Sequence, residues 1–271
     1  MGIFFLFLLG LAAGCLSTLF WIPEDDLGRG YFQMNALVIL GLIGLATATL
    51  LFDGVAPFGE SAELGRYAVL AALAGSFAYY AAIWRERWLL GRLAAGLALA
   101  ATTMSFWLTG KSLVLPISSL PYHRPLLAAS LGLSALLLGW SVITMLLGHW
   151  YLVAPRLTFK HLTIFCWALL AIVLARTVAV GLTLMAAGSV DRFVEPNPWR
   201  LLTGFEGQGM FFWFRILWGL GIPVALAAMS LHCARQKSNQ SATGILYVLV
   251  VGALVGEITA YYLSVTTGVP V

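Results

Sequence analysis

The sequence predicts an all-α integral membrane protein, a bundle of about eight transmembrane helices. Three observations carry that reading. Of 271 residues, 61% are hydrophobic and only 10% are charged, where soluble domains run at about 25% charged. Apolar runs of about 20 residues, long enough to cross a bilayer, recur along the whole chain. These runs are continuous and do not alternate with period two, so helices and not barrel strands are expected. No long polar stretch leaves room for a soluble domain, and the chain reads as a single transmembrane domain.

The first run covers residues 3–22. Cys15 closes a Leu-Ala-Ala-Gly-Cys string similar to a lipoprotein cleavage site, but no Lys or Arg precedes it. The positive start of a signal peptide is missing, so a retained helix is expected. Pro23 and the acidic triplet Glu24-Asp25-Asp26 follow. They read as a solvated turn, or as a cation or partner contact.

Runs two to four cover residues 34–51, 67–84 and 89–108, with small residues crowding each, among them Gly41, Gly44 and Gly75. Small faces let membrane helices pack closely. Trp84, Trp88 and Trp107 stand near the ends of runs, where interfacial aromatics belong. The loop from Lys111 to Pro125 holds three prolines and many apolar residues, so it is expected to lie on the outer surface or fold over the bundle.

The fifth run, 126–148, ends in Gly148-His149-Trp150-Tyr151-Leu152-Val153-Ala154-Pro155. This string reads either as an aromatic girdle or as a quinone head-group site, with a His donor beside Trp150 and Tyr151. Runs six to eight cover 162–184, 210–229 and 243–265. Between six and seven, Pro198 is placed to start a short interfacial helix. Pro223 is expected to kink the seventh helix, and Asn239 or Ser241 to cap the eighth.

Lys and Arg in short loops set orientation. Eight lie on the side opposite the N-terminus and five on its own side. This places both termini outside, in what is expected to be a bacterial cytoplasmic membrane. Nucleic-acid binding is not indicated, because the net charge of +4 forms no basic stripe. Cys15, Cys166 and Cys233 are isolated, so neither a disulfide framework nor a zinc site is expected.

Candidate chemistry lies in the last three runs. Each carries one ionisable residue: Arg176, Arg215 and Glu257. A charge within a bilayer costs at least a few kcal/mol unless paired or wet. The trio therefore reads as a structural ion pair with one residue snorkelling, or as a polar pocket open to the outer side. Gln208 and Glu206 would stand at the pocket's mouth, with Thr177, Thr259 and Tyr261 nearby. His149 and His232 fall at inner ends of runs, where a haem b would need two facing imidazoles. No run holds a mid-membrane histidine, which weighs against haem. Nucleophile–base arrangements and phosphate-cradling loops are missing from the sequence.

The closing stretch Gly256-Glu257-Ile258-Thr259-Ala260-Tyr261-Tyr262-Leu263, continuing to Thr267-Gly268, resembles the end of the membrane-anchor subunits of DMSO-reductase-type and NrfD-type complexes. There a Gly-Glu pair precedes an aromatic-Leu stretch and a Thr-Gly turn. The resemblance implies a haem-free bundle of about eight helices that exchanges electrons with a quinol through a partner iron–sulfur subunit. Those anchors often carry Arg after Gly-Glu, where Ala260 and Tyr261 stand here. The expectation is a non-catalytic or quinone-binding subunit of a respiratory complex, in contact with lipids and partner subunits. The alternatives are a proton-coupled transporter or channel using Glu257, and a b-haem cytochrome.

Overall fold

The computed structural model describes residues 1–53, 58–116, 120–153, 160–190 and 197–271. The described residues form α-helices and short helical turns, with no strand among them. In chain order they are α1 (Gly2–Thr18), α2 (Glu24–Leu27), α3 (Arg29–Asp53), α4 (Ala62–Trp84), α5 (Trp88–Leu113), α6 (His123–Val153), α7 (Lys160–Gly188), α8 (Pro198–Thr203), α9 (Gln208–Ile216), α10 (Ile222–Arg235) and α11 (Asn239–Thr267). Among the described residues, seven segments are long and apolar enough to cross a membrane, with α9 and α10 counting as one, and α1 is shorter at 17 residues. The protein is an integral, multi-pass membrane protein.

α1 is apolar on every side, which suits a helix surrounded by others. It packs on α3, α5 and α6, and Phe5 to Leu16 are buried without a break. It ends at Thr18, short of the expected residue 22. Leu19 N–H bonds the Leu16 carbonyl and Trp21 N–H bonds that of Thr18, closing a tight turn before Pro23. Gly14 and Gly139 let α1 and α6 cross with backbones touching, since a Cβ on either would overlap the other helix's main chain.

The other helices run past their expected ends. Lys111 and His149 to Tyr151, read as loop or boundary residues, lie within the last turns of α5 and α6. Amphipathic ends such as these extend a helix beyond its apolar run, because Lys and Trp can snorkel to the interface. The helix starting at Pro198 forms, with the Asn197 side chain accepting from the Arg200 N–H at 3.1 Å. The cap of α11 differs: Ser238 takes that position with no side-chain bond to the backbone, while Asn239 Oδ1 accepts from Thr243 Oγ1. Arg156, Asp191, Arg192, Glu195 and Pro155 lie outside the described residues.

The acidic first loop is not a bare solvated turn. Glu24 pairs with Arg92 at 2.6 Å and Asp26 with His161 at 2.8 Å, and nearby Arg29 reaches Glu86 at 2.6 Å. The loop ties the N-terminal ends of α5 and α7 together. These pairs are partly exposed, and such pairs contribute up to about 1 kcal/mol each. Arg29 also lies 5.4 Å from the Trp84 ring. Arg29→Gln is therefore expected to lower the unfolding midpoint in detergent only slightly, by about a degree or two.

Candidate functional site

Arg176, Arg215 and Glu257 meet inside the bundle, all buried, with exposures of 1%, 0% and 0%. Three helices deliver them: α7, α9 and α11. Arg176 grips Glu257 with two nitrogens, Nε to Oε1 at 3.2 Å and Nη2 to Oε2 at 3.0 Å. Arg215 Nη2 donates to Oε1 at 2.5 Å. Both carboxylate oxygens are thus held by cations, and neither arginine snorkels. Such charge-assisted, two-point contacts are the strongest hydrogen bonds available to a side chain.

The two guanidiniums differ in what else they reach. Arg176 also donates from Nη1 to Ser130 Oγ at 3.0 Å and from Nη2 to the Val271 oxygen at 2.9 Å. Its fork is well used. Arg215 Nε and Nη1 are buried and have no partner among the described residues.

The chain's last residues line this site. Gly268 adopts the left-handed conformation, φ 71°, and caps α11. A residue with a Cβ would be strained there. Residues 269–271 then fold back into the bundle and are buried. The Pro270 oxygen accepts from Thr183, the Gly268 oxygen lies 3.0 Å from His123 Nε2, and Val271 N–H donates to Ser264 Oγ. Val269 N–H donates to Thr267 Oγ1, so these turned-in backbone groups find partners, as buried backbone generally must.

Helix periodicity decides which nearby polar residues join. Tyr261, one turn beyond Glu257, is buried and accepts from Ser134 Oγ at 2.7 Å. Thr177 and Thr259 do not join. Each bonds a carbonyl of its own helix, and neither is buried. Steps of one and two residues from Arg176 and Glu257 rotate them about 100° and 200° away. Gln208 opens α9 about 10 Å above Arg215, half-buried, and Glu206 is exposed. The sequence reading missed Ser130 and Ser134. Their four-residue spacing on one face of α6 was the available signal.

Glycines set the close approach that seats Arg215. A Cβ on Gly219 would lie 2.6 Å from the Gly256 Cα and 2.5 Å from Arg215 Nη1. Between α9 and α10 the chain makes a π-turn, Leu217–Gly221. Pro223 has no N–H to offer the Gly219 carbonyl, and a wider turn absorbs that loss in place of a simple kink.

The inner candidates separate. His149 is exposed, with Nδ1 3.4 Å from Tyr247 Oη, while the Trp150 ring packs edge-on against Tyr31 and Tyr151 is buried. Three successive helical residues face three ways. His232 lies 2.9 Å from Gln236 Nε2 on its own helix. A second buried polar set does occur, on α3 and α4. The Tyr79 hydroxyl and Ser76 Oγ have no hydrogen-bond partner among the described residues, nor does Trp150 Nε1, and the Tyr31 hydroxyl lies beside the Asn35 side chain. A buried group left unpaired costs about 1–3 kcal/mol. Tyr79→Phe keeps the ring and removes one such hydroxyl, so it is expected to raise the unfolding midpoint. A lowered midpoint would show that the hydroxyl has a bridging partner.

Compared with known proteins, the chain matches no family model, no curated protein and no solved structure.

Proposed function

We propose that this chain is an integral subunit of a membrane electron-transfer complex in a bacterial cytoplasmic membrane, with both termini outside, that anchors partner subunits and holds a quinone. The observation that carries the reading is Arg215. Its guanidinium is fully buried, and two of its N–H-bearing nitrogens have no partner among the described residues. Such a group favours an electron-rich oxygen with no full charge to desolvate. A quinone carbonyl offers one and arrives through the lipid. Phe212 on α9 and Tyr261 on α11 are buried aromatic residues of the two helices that bring Arg215 to Glu257.

Glu257 as a proton carrier fits the arrangement less well, since both of its oxygens are held by guanidiniums. The haem alternative gains nothing from His149 and His232, which engage Tyr247 and Gln236. For partner docking, the outer shelf around α8 is favoured, where Phe205 is 82% exposed and stacks on Trp213.

The test is lipid extraction and mass spectrometry on protein purified in mild detergent. Wild-type protein should retain a quinone and an iron–sulfur or cytochrome partner. Arg215→Leu, if it folds, should lose the quinone and keep the partner. A wild-type preparation with neither would overturn the proposal.

A further inference from the structure

Away from the buried trio, the outer end of the α5–α6 seam holds two cavities that share Trp107. The upper one, of about 700 Å³, is lined by Lys111, Arg124, Tyr122 and His123, and no carboxylate borders it among the described residues. The lower one, of about 390 Å³, is almost wholly apolar and runs between α1, α5 and α6, past Thr103, Leu99, Ala128 and Gly132.

The two cavities are stations on one track. Along α5 the residues Lys111, Trp107, Thr103 and Leu99 recur every four positions, and so do Arg124, Ala128, Gly132 and Leu136 along α6. Residues four apart share a helix face. The antiparallel helices therefore present two matching stripes, each with a cation at the outer end and apolar or small residues below. Twelve residues of helix descend about 18 Å, close to half the roughly 30 Å hydrocarbon core. Lys111 and Arg124 are exposed and have no ion-pair partner among the described residues. Gly132 leaves the groove open, since a Cβ there would meet nothing within 4 Å.

We infer that this track binds one anionic glycerophospholipid of the outer leaflet. Its phosphate would sit between Lys111 and Arg124, its glycerol backbone against Trp107, and one acyl chain in the groove below. The charge selects the head group and the groove selects the chain. His123, which lines the head-group cavity, also meets the Gly268 oxygen. The lipid would therefore brace the turned-in tail that covers Arg176. This inference does not depend on the quinone proposal.

The experiment is native mass spectrometry and thermal unfolding of the full chain in detergent, with added dioleoylphosphatidylglycerol, dioleoylphosphatidylcholine or inorganic phosphate. Phosphatidylglycerol is expected to remain bound at one per chain and to raise the unfolding midpoint, while phosphatidylcholine and inorganic phosphate do neither. The variant K111Q/R124Q should retain about tenfold less phosphatidylglycerol. Gly132→Leu fills the groove without strain and should also release the lipid, which keeps the test intact should the charge variant fail to fold. Equal retention of phosphatidylcholine would overturn the inference. So would an unchanged Gly132→Leu variant, or a full stabilising effect from inorganic phosphate alone.

Discussion

Glu257→Ala is expected to abolish recovery of monodisperse protein from the membrane. The substitution leaves two guanidiniums buried, with exposures of 1% and 0%, and no counter-charge between them. Breaking a buried ion pair by removing one partner costs about 3–5 kcal/mol. Here one carboxylate serves two cations, so the loss falls at or above the upper end of that range. Against a total stability of about 5–15 kcal/mol, this is enough to unfold the bundle around them. Glu257→Gln should be milder, because an amide oxygen still accepts one bond. The informative comparison is the triple variant R176M/E257L/R215M. Replacing a whole buried charged set by apolar residues is often neutral, or stabilising by about 1–4 kcal/mol. The triple variant should therefore fold and give a sharp gel-filtration peak where Glu257→Ala does not. It should also lack bound quinone. Retention of quinone by the triple variant would move the binding site elsewhere. A folded, wild-type-like Glu257→Ala would show that water or another anion already shields the arginines.

The contrast between the trio and its surroundings shows what a linear sequence can carry. Arg176, Arg215 and Glu257 stand out because apolar spans tolerate no ionisable residue without a partner. Cost alone left open whether they form an ion pair or line a polar pocket. Which oxygen meets which nitrogen depends on the rotation of three helices about their axes, which no single span encodes. Tyr261 was legible because four residues on from Glu257 is the same face. Thr177 and Thr259 looked close in sequence, yet helical rotation turns them from the site. The tail was harder to foresee. Gly268 signals a reversal, but only tertiary contacts to Thr183, Ser130 and Arg176 decide that residues 269–271 turn inward. The acidic loop gave a similar difficulty. Glu24 and Asp26 read as solvated because their partners, Arg92 and His161, lie on helices distant in sequence, α5 and α7. Helix ends were also underestimated. Hydropathy marks where lipid contact stops, while backbone hydrogen bonding continues for another turn or more.

Gly256→Ala should be strongly damaging, although it adds only one methyl group. Gly256 faces Gly219 across the α11 crossing with the π-turn, and its added Cβ would overlap the Gly219 Cα. The neighbour is main chain, so no side-chain rotation can relieve the clash. Overpacking of this kind costs about 1–3 kcal/mol when the helices can shift, and here the shift has a second consequence. Moving α9 and the π-turn away from α11 pulls Arg215 Nη2 off Glu257 Oε1. The Arg176 contact is made from α7 and is left in place. The variant should thus resemble a partial loss of Arg215 and not a loss of Glu257. A double-mutant cycle makes this measurable. If Gly256 acts by seating Arg215, Gly256→Ala and Arg215→Leu will be strongly non-additive in unfolding midpoint, as contacting residues are. Simple addition of the two effects would mean that the glycine serves helix packing alone. The π-turn makes the same point from the other side. Pro223 frees the Gly219 carbonyl, the wider turn absorbs the fault, and that local geometry brings Gly219 close enough to require glycine at 256. An apparently minor helix irregularity is thereby tied to the position of a buried charge.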